Sequence, residues 1–109
     1  MAEYQNLTTR DVFEKLTRGD TFLFIDVREP EEHAIANLDG AQLMPLSRAS
    51  LWIDTLPRDV DIVFFCHHGM RSQHIASFLA EQRGYARVAN MLGGIEDWAQ
   101  RIDPSVPRY

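Results

Sequence analysis

The chain has a single cysteine, Cys66, no apolar run approaching the length needed to span a membrane, and no cluster of basic residues. One cysteine excludes an internal disulfide, fits a reducing compartment and leaves a free thiol to be explained. With a net charge of -5 and its arginines scattered, the chain lacks the clustered cations that hold phosphates, so nucleic acid is not an expected partner. The opening residues Met1 to Asn6 carry neither a charged leader nor an apolar stretch. They read as the start of a cytoplasmic protein with no membrane contact. What is present is the balance of an ordinary globular protein, 45% hydrophobic and 25% charged. At 109 residues the chain is long enough for one core but hardly two, so a single domain over residues 1–109 is expected.

Thr8, with Asp11 three residues later, forms a helix-start signature, and Val12, Phe13 and Leu16 give that helix one apolar face up to Gly19. Residues 21–27 and 61–66 are nearly continuous apolar runs, the pattern of central parallel strands buried on both faces. Residues 72–83 have helical spacing and end at Gly84. A short strand near Arg87 to Asn90 follows, then Gly93-Gly94 and a helix through Ile95 and Trp98. In the middle, residues 31–36 read as a helical turn or two, 42–44 as a short strand and 48–56 as a helix. The tail, residues 103–109, has two prolines and is expected to be extended. This alternation of helices and strands is the rhythm of an α/β sheet layered by helices.

Cys66 closes a buried strand and is followed by His67, His68, Gly69, Met70, Arg71 and Ser72, with a helix expected to begin at Arg71 or Ser72. Ligands of open α/β sheets bind beyond the carboxyl ends of the strands, which is where this thiol falls. Gly69 lets the loop curl so that successive N–H groups aim at one point before a helix N-terminus. Such a field favours anionic sulfur, first a thiolate and then a persulfide. The planar fork of Arg71 is suited to an incoming oxyanion such as thiosulfate. Two plainer readings stand beside these: Cys66 as buried filler, and Arg71 as a solvated residue or the partner of Asp26 or a nearby glutamate.

His67 and His68 raise the question of a metal, but the remaining histidines, His33 and His74, lack zinc-site spacing, so no metal is expected. The two histidines are expected to shape the pocket rim and to gain positive charge as pH falls. Cysteine phosphatase loops place five residues between Cys and Arg, whereas only four separate Cys66 from Arg71. The shorter cradle suits one sulfur atom better than a tetrahedral phosphoryl group.

Three blocks of the sequence resemble the rhodanese family of sulfurtransferases: Ile25-Asp26-Val27-Arg28-Glu29-Pro30, the Cys66 to Ser72 loop, and Gly93-Gly94-Ile95-Glu96-Asp97-Trp98. The resemblance implies an open, mainly parallel five-stranded sheet flanked by helices. It implies a loop, Cys66 to Arg71, that wraps a persulfide, with sulfur taken from a small donor and passed to a thiol, cyanide or protein acceptor by covalent ping-pong chemistry. No metal or organic cofactor is called for. Asp26 and Arg28 take a supporting role around the loop, or else form a strand-end ion pair with no part in the chemistry. Ala36-Asn37-Leu38-Asp39 departs from the family's Gly-His-Ile-Pro, which implies a local change of backbone rather than lost chemistry. The ending, Asp103 to Tyr109, is similar to the close of rhodanese domains fused behind cofactor-activating adenylyltransferases. The rival functions are a cysteine-dependent phosphatase or arsenate reductase and a non-catalytic regulatory module.

Overall fold

A computed structural model of the chain describes residues 3–109. Five strands, β1 (Gln5–Leu7), β2 (Phe22–Asp26), β3 (Gln42–Leu43), β4 (Asp61–Phe65) and β5 (Val88–Met91), form one sheet in the order β1-β5-β4-β2-β3. Every pairing is parallel, so the expected mainly parallel sheet is wholly parallel. The helices are α1 (Thr9–Arg18), α2 (Pro30–Ile35), α3 (Ala49–Trp52, entered through a 3-10 turn at Leu46–Arg48), α4 (Met70–Arg83) and α5 (Gly94–Arg101). Among the described residues no helix is long and apolar enough to cross a membrane.

The apolar runs become two-sided because alternate residues of a strand point to opposite faces. On one face Ile25, Ile62 and Phe64 pack with Trp52 of α3 and Ile75, Ala76 and Leu79 of α4. On the other, Phe24, Val63 and Phe65 pack with Val12 of α1 and Ile95 and Trp98 of α5. Each large side chain buried this way contributes about 1.5–3 kcal/mol.

Several boundaries differ from those the sequence implies. β1 adds a strand ahead of the first helix. Its three residues have no apolar alternation and are strand only because Leu7 and its neighbours register against Ala89, Asn90 and Met91. The helix expected over 48–56 is shorter, and α4 begins at Met70, because Gly69 with φ 103° caps it in a left-handed conformation. Cys66 lies one residue beyond β4 rather than within it. The Thr8–Asp11 capping box and the left-handed Gly19 close α1 as expected. The tail is not simply extended: Val106 is buried in the α1–α5 layer, and the chain then returns toward the ends of the strands.

Register decides what lies beside the cysteine. Asp26 pairs with Phe65 across β2 and β4, and Val27 N–H donates to the Phe65 carbonyl at 3.0 Å. Asp26, Val27 and Arg28 therefore leave the sheet alongside Cys66, while Asn90 sits opposite Phe64 on the other flank.

Candidate active site

Cys66 is buried, with 1% of its surface exposed, and its Sγ accepts the N–H of Gly69 at 3.1 Å and the N–H of Ser72 at 3.4 Å. The chain can turn back on the sulfur this tightly because Gly69 takes up φ 103°, a conformation other residues resist. Ser72 Oγ also lies 3.4 Å from Sγ, but its shorter bond, 2.6 Å, is to Asn90 Oδ1. The hydroxyl proton therefore goes to Asn90, and the backbone supplies the donors facing the sulfur. Asn90 is in turn tied to Asn6 of β1 at 3.2 Å, so the unforeseen first strand braces the site.

The loop is also held from outside. Ile95 N–H donates to the Cys66 carbonyl at 2.9 Å and Glu96 N–H to that of His67 at 3.1 Å, so the free amides at the start of α5 clamp the loop carbonyls. Gly94, with φ 62°, allows the approach: a Cβ there would lie well inside contact distance of both carbonyls. The adjacent glycines before a helix were the sequence signal for this clamp. Gly94→Ala combines backbone strain with a displaced loop. It is expected to lower sulfur-transfer turnover about a hundredfold and to destabilise the fold by about 2 kcal/mol, read by kinetics and thermal unfolding.

Arg71 is partly exposed but is not a freely solvated cation. Its Nη1 and Nη2 donate to Glu32 Oε1 and Oε2 at 2.7 and 2.9 Å, the bidentate geometry in which guanidinium binds carboxylate best. Of the alternatives left open by the sequence, the carboxylate partner is the one formed, and the carboxylate is contributed by α2. This contact, opposed by partial burial, holds the Glu32 carboxyl down to about 2 from an ordinary 4.5. A carboxyl lowered by folding stabilises the fold above its unfolded value and loses that contribution as pH falls toward the folded one. Glu32→Gln is therefore expected to be less stable than the parent by about 1–2 kcal/mol above pH 4.5, after allowance for solvent screening. The gap should close as pH falls toward 2, which thermal melts across that range will test.

Asp26 and Arg28 are both fully buried. Arg28 Nε and Nη2 donate to the two Asp26 oxygens at 2.9 and 2.7 Å, and Nη2 reaches the Ala36 carbonyl at 2.6 Å. Burial works against the guanidinium charge, but hydrogen bonds to Asp26 and Tyr109 outweigh it, and the group stays more basic than an ordinary arginine. His33 Nδ1 adds a contact to Asp26 Oδ2 at 3.0 Å. The segment that departs from the family pattern is thus anchored through the Ala36 carbonyl, and its Ala36 and Leu38 pack in the layer of α1 and α5.

The least expected member is Tyr109. Its hydroxyl accepts from Arg28 Nη1 at 2.9 Å and donates to Glu32 Oε2 at 2.8 Å, while its ring stacks on His67 at 3.9 Å and 9°. His67 stacks in turn on His68 at 4.0 Å. Burial first, and the neighbouring His68 second, hold His67 below the ordinary imidazole range, so it gains its charge only at a lower pH than an ordinary histidine would. Its Nε2 is buried with no hydrogen-bond partner, the sole such side-chain atom among the described residues. Met70 is exposed at the rim. Nothing local in the sequence signals Asn90, and the resemblance of the ending, Asp103 to Tyr109, to the close of rhodanese domains marks the tail without placing Tyr109 at the site; both reach it through the topology.

An all-parallel α/β sheet with a cysteine loop beyond the carboxyl ends of its strands is the architecture of the rhodanese-like fold. The rhodanese-like domain family matches residues 9–101, and the chain belongs to that family. It is 36% identical over 94 residues to the thiosulfate sulfurtransferase GlpE of Actinobacillus succinogenes, covering 86% of this chain and 84% of that one. It is 37% identical over 94 residues to the rhodanese-like/PpiC domain-containing protein 12 of Arabidopsis thaliana, covering 83% of this chain but 31% of that one. The chain spans under a third of the longer curated relatives it matches. In structure it is similar to a rhodanese-related protein of Thermoplasma volcanium, with a TM-score of 0.80 at 25% identity over 97% of this chain and all of that one.

Proposed function

We propose that the chain is a single-domain, cytoplasmic sulfurtransferase in which Cys66 carries sulfur as a persulfide. The observation that carries this reading is the buried Cys66 sulfur facing the Gly69 and Ser72 amides at 3.1 and 3.4 Å. Donors fixed in place before the reaction stabilise charge on sulfur at no reorganisation cost. In the first step the Cys66 thiolate attacks the outer sulfur of a donor. With thiosulfate, the S–S bond to the sulfonate breaks, sulfite leaves with the bonding pair, and Cys66 holds a persulfide anion. In the second step an acceptor thiolate or cyanide attacks the terminal sulfur, leaving as a persulfide or thiocyanate and restoring the thiolate. His67 to Ser72 form the cradle, with Asp26 and Arg28 supporting it from β2.

The four-residue interval between Cys66 and Arg71, and the engagement of Arg71 by Glu32, both favour sulfur over phosphate as the transferred group. Steady-state assays with thiosulfate and either cyanide or a small thiol are expected to give turnover, and an aryl phosphate none. Hydrolysis of the phosphate ester without sulfur transfer would overturn the assignment.

A further inference from the structure

The Cys66 loop contributes one cation, Arg71, and in this fold that cation is already spoken for. Both outer nitrogens of Arg71 are bonded to Glu32. Glu32 is held in that pose by two further donors, the Glu29 N–H at 3.1 Å on Oε1 and the Tyr109 hydroxyl at 2.8 Å on Oε2. The hydroxyl is itself oriented by Arg28 Nη1 at 2.9 Å, and Arg28 is fixed by the buried Asp26. Five side chains from three parts of the sequence, Asp26, Arg28 and Glu32 from one stretch with Arg71 and Tyr109, thus form one chain of charge-assisted bonds that ends on the loop. The charges of Asp26, Arg28, Glu32 and Arg71 cancel, so these four side chains together offer no net positive charge to an anion.

Glu32 takes one N–H from each outer nitrogen of Arg71, so a doubly charged donor such as thiosulfate that approaches the remaining N–H groups, or displaces Glu32 from the two it holds, comes to lie beside a carboxylate. A singly charged donor that delivers its sulfur without binding a cation meets no such cost. Met70, 69% exposed, and the Tyr109 ring add apolar surface at the same rim. We infer, on the reading of Cys66 as a sulfur carrier, that Glu32 sets donor specificity against dianions and that Tyr109 is the positioning residue that keeps Glu32 on Arg71. The favoured donors are organic persulfides, whose outer sulfur passes to the Cys66 thiolate as the organic thiolate leaves. The bond made, S–S at Cys66, matches the S–S bond broken, and no oxidant is required.

The test compares kcat/KM for thiosulfate with kcat/KM for a small alkyl persulfide bearing no other charge. In Glu32→Gln the ratio of thiosulfate to persulfide is expected to rise about tenfold, carried mainly by the KM for thiosulfate. In Tyr109→Phe, which keeps the ring, it should rise about threefold. Because Tyr109 acts through Glu32, the double variant should match Glu32→Gln alone; a double-mutant cycle separates this from two independent structural effects. An unchanged ratio in Glu32→Gln overturns the inference, and so does a Tyr109→Phe effect that persists in the Glu32→Gln background. Either result with normal parental sulfur transfer leaves Cys66 as carrier standing. A parent that takes sulfur from neither donor refutes both.

Discussion

Cys66→Ser is expected to abolish sulfur transfer, lowering turnover at least about ten-thousandfold, while the protein remains folded. The side chain is one atom different and nearly the same shape, and the Gly69 and Ser72 amides that face Sγ remain in place. What is lost is the chemistry: an alkoxide is far less accessible than a thiolate, and oxygen cannot form the S–S bond that stores the cargo. The cradle without its sulfur is therefore expected to be inert with every donor. A serine variant retaining a tenth of the activity would mean that the transferred sulfur never resides on this residue.

The second large effect concerns stability. Arg28→Met is expected to lower the free energy of unfolding by about 3–5 kcal/mol, because it leaves the Asp26 carboxylate buried without its partner. For a domain of this size the midpoint temperature should fall by roughly 10 °C or more. Both side chains have no exposed surface, so water cannot compensate as it would at a surface pair. Arg28 also satisfies the Ala36 carbonyl and orients the Tyr109 hydroxyl, so the substitution unties α2, the following turn and the tail together. Denaturant unfolding measures this directly, and a loss below about 1 kcal/mol would show that the buried pair is not what holds this edge of the sheet.

Much of this was legible in the sequence, and what was not has identifiable causes. The runs at 21–27 and 61–66 announced β2 and β4 because a strand buried on both faces has to be apolar throughout. Thr8, Asp11 and Gly19 marked α1 because capping chemistry is local. β1 carried no such mark: Gln5 and Asn6 are exposed, and the strand exists because β5 offers its edge. Cys66, Gly69 and Ser72 were recognisable from position and spacing, since a strand, a glycine and a helix start suffice to describe a nest. Arg71 could not be settled from its neighbours because Glu32 lies 39 residues away, brought to it by α2. Tyr109 lay further still from any local signal. Two prolines in a short polar tail indicate an extended path, and the ending resembles that of other rhodanese domains, but the stacking on His67 and the bonds to Arg28 and Glu32 are tertiary contacts that neither signal discloses.

The central claim is that Cys66 holds the transferred sulfur covalently, and the mass of the intact protein tests it most directly. After brief exposure to thiosulfate or an alkyl persulfide and removal of the excess, the parent chain is expected to gain the mass of one sulfur atom. Cyanide should remove that gain, and Cys66→Ser should never acquire it. A parent whose mass is unchanged by either donor, or a serine variant that gains the same increment, would contradict the account.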